Sequence, residues 1–363
     1  MKFRLLKRLD IYIIKKFIGT YFFAILIIIG ISVVFDAAEK IDDFMEKSAP
    51  LKAIIFDYYM NFIPYFASLF SSLITFVAVI FFTSKMAYNT EIVAILASGV
   101  SFKRLLYPYF VAALFIGTLN FVLVAFIIPR ANEIKIDFEN KYVKNQYVNE
   151  SSNIHRQLTP NTFVYMESFA VYSKTGYKFS LEKYEKNKLR SKLMSDYAQW
   201  DSTSNKWTVY NYYIRDFGDK KETIRRGEKL DTLIDLSGQE LSQRANVVET
   251  MNIFELNHQI KKQKARGADD VVILQTEKNK RYAYPLSTFI LTIIGVSLSS
   301  RKVRGGIGLH IGLGILLSFA YILFMRFSEM FAVGGLISAN VAIWVPNVLF
   351  AFIAFYLYRK TPK

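Results

Sequence analysis

The sequence contains no cysteine, which excludes disulfides, thiolate metal sites and cysteine nucleophiles. Its three histidines, His155, His258 and His310, are scattered, and no pair has the spacing that puts two imidazoles on one helix face. Neither a G-x-S-x-G elbow nor a G-x-x-x-x-G-K-[ST] loop occurs, so no hydrolase nucleophile or P-loop nucleotide site is expected in this chain. An intramembrane enzyme would need acids or histidines clustered at one membrane depth, and none are found. No catalytic residue, metal or cofactor is assigned.

What is abundant is apolar. Of 363 residues, 52% are hydrophobic and 16% aromatic, too many for a soluble domain of this size. Six charge-free runs stand out: Phe17–Phe35, Tyr58–Ser84, Leu105–Pro129, Tyr282–Ser300, Gly305–Met325 and Phe331–Tyr358, the last including its entry loop. A spanning helix needs roughly 20 apolar residues, so each run suffices. The formal charge of +16 does not point to nucleic acid, because much of the excess lies in short segments beside these runs.

That placement fixes the expected topology. Lys2, Arg4, Lys7, Arg8, Lys15, Lys16, Lys85, Lys103, Arg104, Arg301, Lys302, Arg304, Arg359, Lys360 and Lys363 fall on one side. The opposite short loop is mainly acidic, from Asp36 to Asp57. The positive-inside rule makes both termini cytoplasmic and puts the polar stretch after the third run outside. The expected plan is an α-helical membrane protein with six spans and an all-β domain inserted between the third and fourth. Residues 1–130 form the first membrane half, 131–268 the outer domain with a C-terminal helix, and 269–363 the second membrane half.

The basic start followed by an apolar core resembles a secretory signal. The run is longer than a signal core, however, and no small-x-small site follows Phe35, so it reads as a retained span. Residues 2–16 read as a helix along the inner surface leading into it. In the outer domain, Thr162–Glu167, Tyr177–Glu182 and Trp207–Ile214 are rich in β-branched and aromatic residues, and Asp201–Lys206 is a turn cluster that makes a hairpin. Spacing of about ten residues between strands predicts a sandwich, barrel or jelly roll. Thr250 to Arg266 returns to helix closed by Gly267, and Asp269 and Asp270 begin the helix that runs into the fourth span.

Between the second and third spans, residues 88–101 form a short amphipathic helix. Asn89 or Thr90 can cap it, Glu91 sits in the first turn where the dipole favours a carboxylate, Ile92, Ile95 and Leu96 recur at helical spacing, and Gly99 stops it. It reads either as an interfacial helix on the lipid or as a grip for a partner. Arg326 and Glu329, spaced i, i+3 near the outer end of the fifth span, are either a snorkelling arginine with its counter-ion or a cationic contact for phosphate or carboxylate on an amphiphile. Lys40, just beyond the first span, is placed to join them. Gly308 and Gly312 form a small-xxx-small face for helix packing.

Three stretches make the chain resemble the lipopolysaccharide export permeases of the LptF/LptG type. They are Thr90-Glu91-Ile-Val-Ala-Ile-Leu-Ala-Ser-Gly99-Val-Ser101, Phe163-Val-Tyr-Met-Glu167 and Arg281-Tyr-Ala-Tyr-Pro285-Leu-Ser287. The resemblance runs over nearly the whole chain. It implies a non-enzymatic permease subunit in the inner membrane of a Gram-negative bacterium, with a periplasmic β-jelly roll and a coupling helix bearing Glu91. It further implies a dimer of ATP-binding cassette subunits that hydrolyse ATP, a second homologous permease or another copy of this one, lipopolysaccharide as cargo, and periplasmic jelly-roll bridge proteins. In that family the first and fifth spans form gates around an outer-leaflet cavity. Basic residues that contact glycolipid phosphates within the first span of some members have no counterpart in Ile31–Phe35. The alternative reading is a membrane-anchored periplasmic binding or scaffold protein without transport.

Overall fold

The computed structural model describes residues 7–143, 153–170, 173–186, 188–202, 204, 206–218, 221–234, 236, 241, 245–265, 271–300 and 307–361. Helices α1 (Arg8–Glu46), α2 (Leu51–Tyr88), α3 (Glu91–Ala97) and α4 (Phe102–Tyr142) come first. Strands β1 (Ile154–Thr159), β2 (Thr162–Met166), β3 (Ser168–Ala170), β4 (Thr175–Glu185), β5 (Lys188–Asp201), β6 (Lys206–Phe217) and β7 (Glu222–Thr232) follow. After a 3-10 turn (Ala245–Thr250) come α5 (Ile253–Ala265), α6 (Val271–Ser299), α7 (Ile307–Val333) and α8 (Ala339–Lys360). The predicted ends at Gly267, at Asp269 and Asp270, and at Gly305 lie outside the described residues, as do residues 2–6 of the predicted surface helix.

Six helices, α1, α2, α4, α6, α7 and α8, are long and apolar enough to cross a membrane. They follow the six charge-free runs, and α1, α2, α4 and α6 begin or end well past them in charged sequence. Helix α1 is one rod of 39 residues, about 58 Å at 1.5 Å per residue, against a hydrocarbon core of about 30 Å. The separate surface helix expected for residues 2–16 is therefore, from Arg8 onward, the first turns of the spanning helix itself. Asp10 starts it by accepting the Lys7 backbone N–H at 2.7 Å, which occupies one of the unpaired donors of a helix start. Helix α4 runs on to Tyr142, carrying regular helix into the polar sequence that begins near residue 131.

The chain divides into two compact units. The helical one keeps its first segment to Val143, takes back Glu249–Ile253 and resumes at Gln275. Its centre is α2 and α6, each with 56% of its most apolar window buried, whereas α1 has 17% and α7 28%. Because lipid is as apolar as leucine, small and polar residues hold such helices together. Ser72 and Ser287 hydrogen-bond at 2.8 Å between α2 and α6, Tyr21 and Ser71 at 2.8 Å between α1 and α2, and Thr83 and Tyr109 at 3.0 Å between α2 and α4.

The expected glycine face is corrected for packing within this chain. A Cβ built on Gly308 or Gly312 meets nothing within 4 Å, whereas one on Gly314 collides with the Ile80 side chain. Gly295 likewise lies close against Val79 and Phe76. Among the described residues of the helical unit the tightest approaches are thus at Gly314 and Gly295.

The second unit is an all-antiparallel, jelly-roll-like sheet in the order β1-β2-β4-β5-β6-β7, with β3 paired to β4. The three sequence-marked strands are β2, β4 and β6, and the turn cluster is the β5–β6 hairpin, closing with Trp200 opposite Trp207 and Asp201 opposite Lys206. Alternation puts Val164 and Met166 of β2 on one face and Trp207 and Val209 of β6 on one face, and they share a core with Phe179, Leu193 and Ala198. Trp207 donates its indole N–H to the Leu236 carbonyl at 2.7 Å, which makes so large a buried ring tolerable.

Candidate functional site

Two groups of residues in the helical unit carry chemistry, one at each end of its spans. The first is α3. Thr90 occupies the capping position with φ +62° and no side-chain cap; its hydroxyl donates to the Asn89 carbonyl instead. The expected cap is therefore absent at Thr90. Glu91 faces the start of α1, where it accepts the Tyr12 hydroxyl at 2.8 Å and lies 3.5 Å from Lys16 Nζ. Burial pushes its carboxyl up, but the Tyr12 hydrogen bond and the Lys16 charge more than offset this and hold it below the usual glutamate value. Gly99, at φ +86°, ends the helix by donating to the Leu96 carbonyl, a conformation that costs glycine least.

The apolar residues of α3 lie largely against the chain's own spans. Ile92 is fully buried, and Ile95 and Leu96 pack against the same core, beside Ile13, Phe17, Met86 and Phe102. They anchor the helix to its own spans, Ile92 wholly and Ile95 and Leu96 in part. The free side consists of Val93, Ala94 and Ala97, with Glu91 partly exposed at its edge.

The second group surrounds a cavity of about 90 Å³. It is lined among others by Tyr65 of α2, Asn132 of α4, Glu249 of the 3-10 turn, Glu277, Lys280, Arg281 and Tyr284 of α6, and Arg326 of α7. Arg326 pairs with Glu329 at 3.2 Å as its spacing predicted, but Glu329 also binds Lys280 at 2.8 Å. Glu277 holds Lys280 at 3.0 Å and Arg281 at 3.2 Å. Arg281 is almost wholly buried and donates to the Met251 carbonyl at 2.7 Å. Burial, with Glu277 nearby, pushes the Glu249 carboxyl above the usual glutamate value. Arg326 stands out, its side chain 54% exposed.

An adjoining cavity of about 150 Å³, lined by Phe70, Leu73, Tyr321, Ile322 and Met325 among others, shares Ser68, Leu69, Tyr284 and Arg326 with the first. The two make a cleft charged at one end and largely apolar at the other, with Arg326 at the junction. Such a shape suits an amphiphile with an anionic head.

Lys40 does not join this cluster. It is held by Asp36 at 2.8 Å and Glu139 at 3.9 Å and touches the Tyr58 hydroxyl, and it lines neither cavity. Sequence reading missed Glu277 and Lys280, although Glu277, Lys280 and Arg281 stand at i, i+3, i+4 directly before the fourth apolar run, a signature of one charged helix face. Glu249 carries no such local signal.

Six candidate spanning helices, four of which (α2, α4, α6 and α7) line an amphipathic cleft, with an antiparallel sheet inserted after the third, make this a polytopic membrane protein. The family model of the lipopolysaccharide export system permease LptF/LptG matches residues 11–360. The chain belongs to that family, and is a multi-pass inner-membrane component of a lipopolysaccharide export complex. No curated protein matches it.

Proposed function

We propose that this chain is the permease subunit of an ATP-driven exporter that draws lipopolysaccharide from the outer leaflet of the inner membrane and passes it to a periplasmic bridge. Both termini are cytoplasmic and the β unit is periplasmic, following the Lys and Arg distribution. ATP hydrolysis takes place on a separate pair of ATP-binding cassette subunits. The observation that carries the reading is α3: its buried side, Ile92, Ile95 and Leu96, seats it on the spans, while Val93, Ala94, Ala97 and the ionised Glu91 remain available to a partner's groove.

Cargo enters at the cleft, its phosphates near Arg326 and its acyl chains toward Phe70, Ile322 and Met325. The least buried apolar windows are those of α1 and α7. That supports pairing of these two spans with a second permease, or with another copy, around a shared cavity.

The test is co-purification from mild detergent with candidate ATP-binding subunits, beside a Glu91→Lys copy, with mass spectrometry of bound protein and lipid. The expected result is an ATPase retained by the wild type and lost from Glu91→Lys, with phosphorylated glycolipid aboard. No ATPase in either sample would overturn the exporter reading and leave a membrane-anchored binding protein.

A further inference from the structure

The cytoplasmic ends of the first three spans are not equivalent. Asp10, in the first turn of α1, is almost wholly buried and accepts both guanidinium nitrogens of Arg104, at 2.7 and 2.6 Å. Arg104 belongs to the first turn of α4, a few residues beyond α3. One turn further along α1, Tyr12 and Lys16 hold Glu91. Between these polar contacts Ile13 and Phe17 are buried in the same core as Ile92. The loop bearing α3 is thus fastened directly to α1, in addition to its covalent links to α2 and α4.

The three spans also differ in continuity. Helix α2 begins with a π-turn at Ile54–Tyr59 and contains Pro64. Helix α4 contains Pro108 and a π-turn at Leu123–Ile127. Each such feature breaks the regular i→i−4 ladder, and these are the places where helices bend. Helix α1 contains neither over its 39 residues. Along α1 no such feature stands between Asp10 and the far end to take up a tilt, whereas α2 and α4 each carry two places where a helix can bend. At that far end Asp36 and Lys40 meet Tyr58, which lies in the π-turn of α2, and Lys40 meets Glu139 of α4.

We infer that α1 is the rigid rod carrying movement of α3 across the bilayer, and that Asp10 and Tyr12 are positioning residues joining the two. The inference rests on the coupling role proposed for Glu91, but assigns transmission to the first span rather than to the two spans flanking α3. Because the chain has no cysteine, cysteines introduced at the exposed Met45 and Leu336 are unique spin-label sites on α1 and on the loop after α7.

The experiment uses the assembled transporter, with its ATPase and second permease, in proteoliposomes. Two quantities are read: glycolipid released per ATP hydrolysed, and the nucleotide-dependent change in distance between labels in Met45→Cys/Leu336→Cys. Asp10→Asn should retain the ATPase and its hydrolysis, lower release per ATP about fivefold or more, and shrink the distance change. The charge-exchanged pair Asp10→Arg/Arg104→Asp should restore both. A merely structural role would instead lower yield and hydrolysis together. Should Asp10→Asn not assemble, Tyr12→Phe, which removes one hydroxyl, serves for the same two readings. A coupled wild type whose α1 label does not move, or an assembled variant with unchanged release per ATP, overturns the rod. Loss of the coupling reading itself registers separately, as a wild-type chain that retains no ATPase.

Discussion

The carboxylate of Asp10 and the guanidinium of Arg104, 94 residues apart in sequence, form two parallel hydrogen bonds of 2.7 and 2.6 Å. Such a fork matches arginine and no other cation. Removing Arg104 leaves the buried Asp10 carboxylate with the Lys7 backbone N–H but without its guanidinium partner. Because Arg104 itself is partly exposed, Arg104→Ala is expected to cost about 2–3 kcal/mol, below the 3–5 of a fully buried pair. Arg104→Lys should recover part of that. Thermal unfolding of the purified chain in detergent, read by near-ultraviolet dichroism, checks the ranking; equal midpoints for wild type and Arg104→Ala would refute it.

Arg326 is the exposed cation at the junction of the two cavities. Arg326→Glu is expected to lower the phosphorylated glycolipid that co-purifies by about tenfold or more, the value of one or two charge-assisted hydrogen bonds. Arg326→Lys should retain most of it. Quantitative lipid mass spectrometry reads the effect, and an unchanged lipid load in Arg326→Glu would return this residue to the role of a counter-ion for Glu329.

Gly314 and Gly312 lie on the same helix but in different surroundings. Gly314→Val should destabilise by about 1–3 kcal/mol through overpacking against Ile80, and Ile80→Ala should relieve part of it. Gly312→Val should leave the isolated chain within about 0.5 kcal/mol of wild type. Denaturation in mixed micelles distinguishes them; a loss at Gly312 as large as at Gly314 would contradict the packing described.

Glu249 supplies a pH dependence with a definite sign. Its carboxyl is raised in the folded chain, so the neutral form is favoured there. The helical unit keeps its full stability below the usual glutamate value and loses this part as pH rises from that value through the raised one. Glu249→Gln removes the loss. The variant should match wild type at pH 4 and exceed it at pH 8; melting profiles across that range provide the check, and parallel profiles for the two chains would exclude the effect.

Much of the architecture was legible in the sequence because membranes impose simple rules. Lipid offers no partners to a bare backbone, so charge-free runs of about 20 residues must be helices. The turn cluster between Trp200 and Trp207 marked its hairpin for a similarly local reason: the pairing it creates is between neighbours in sequence. Helix ends were less legible. Asp10 and Glu46 lie beyond any apolar run, yet α1 includes both, since hydrogen bonding within a helix does not stop where hydrophobicity does.

The sequence by itself determined the six spans, the inserted sheet, the exit of α3 at Gly99 and the i, i+3 pairing of Arg326 with Glu329, because each depends on residues within a turn or two of one another. The tertiary structure alone decided who faces whom. It turned Ile92 inward, gave Glu91 to Tyr12 and Lys16, moved Lys40 to Asp36 and Glu139, and brought Glu249 beside Glu277 and Lys280. Those outcomes depend on where helices cross and how they are rotated, which side-chain packing between distant segments sets. No local pattern records it.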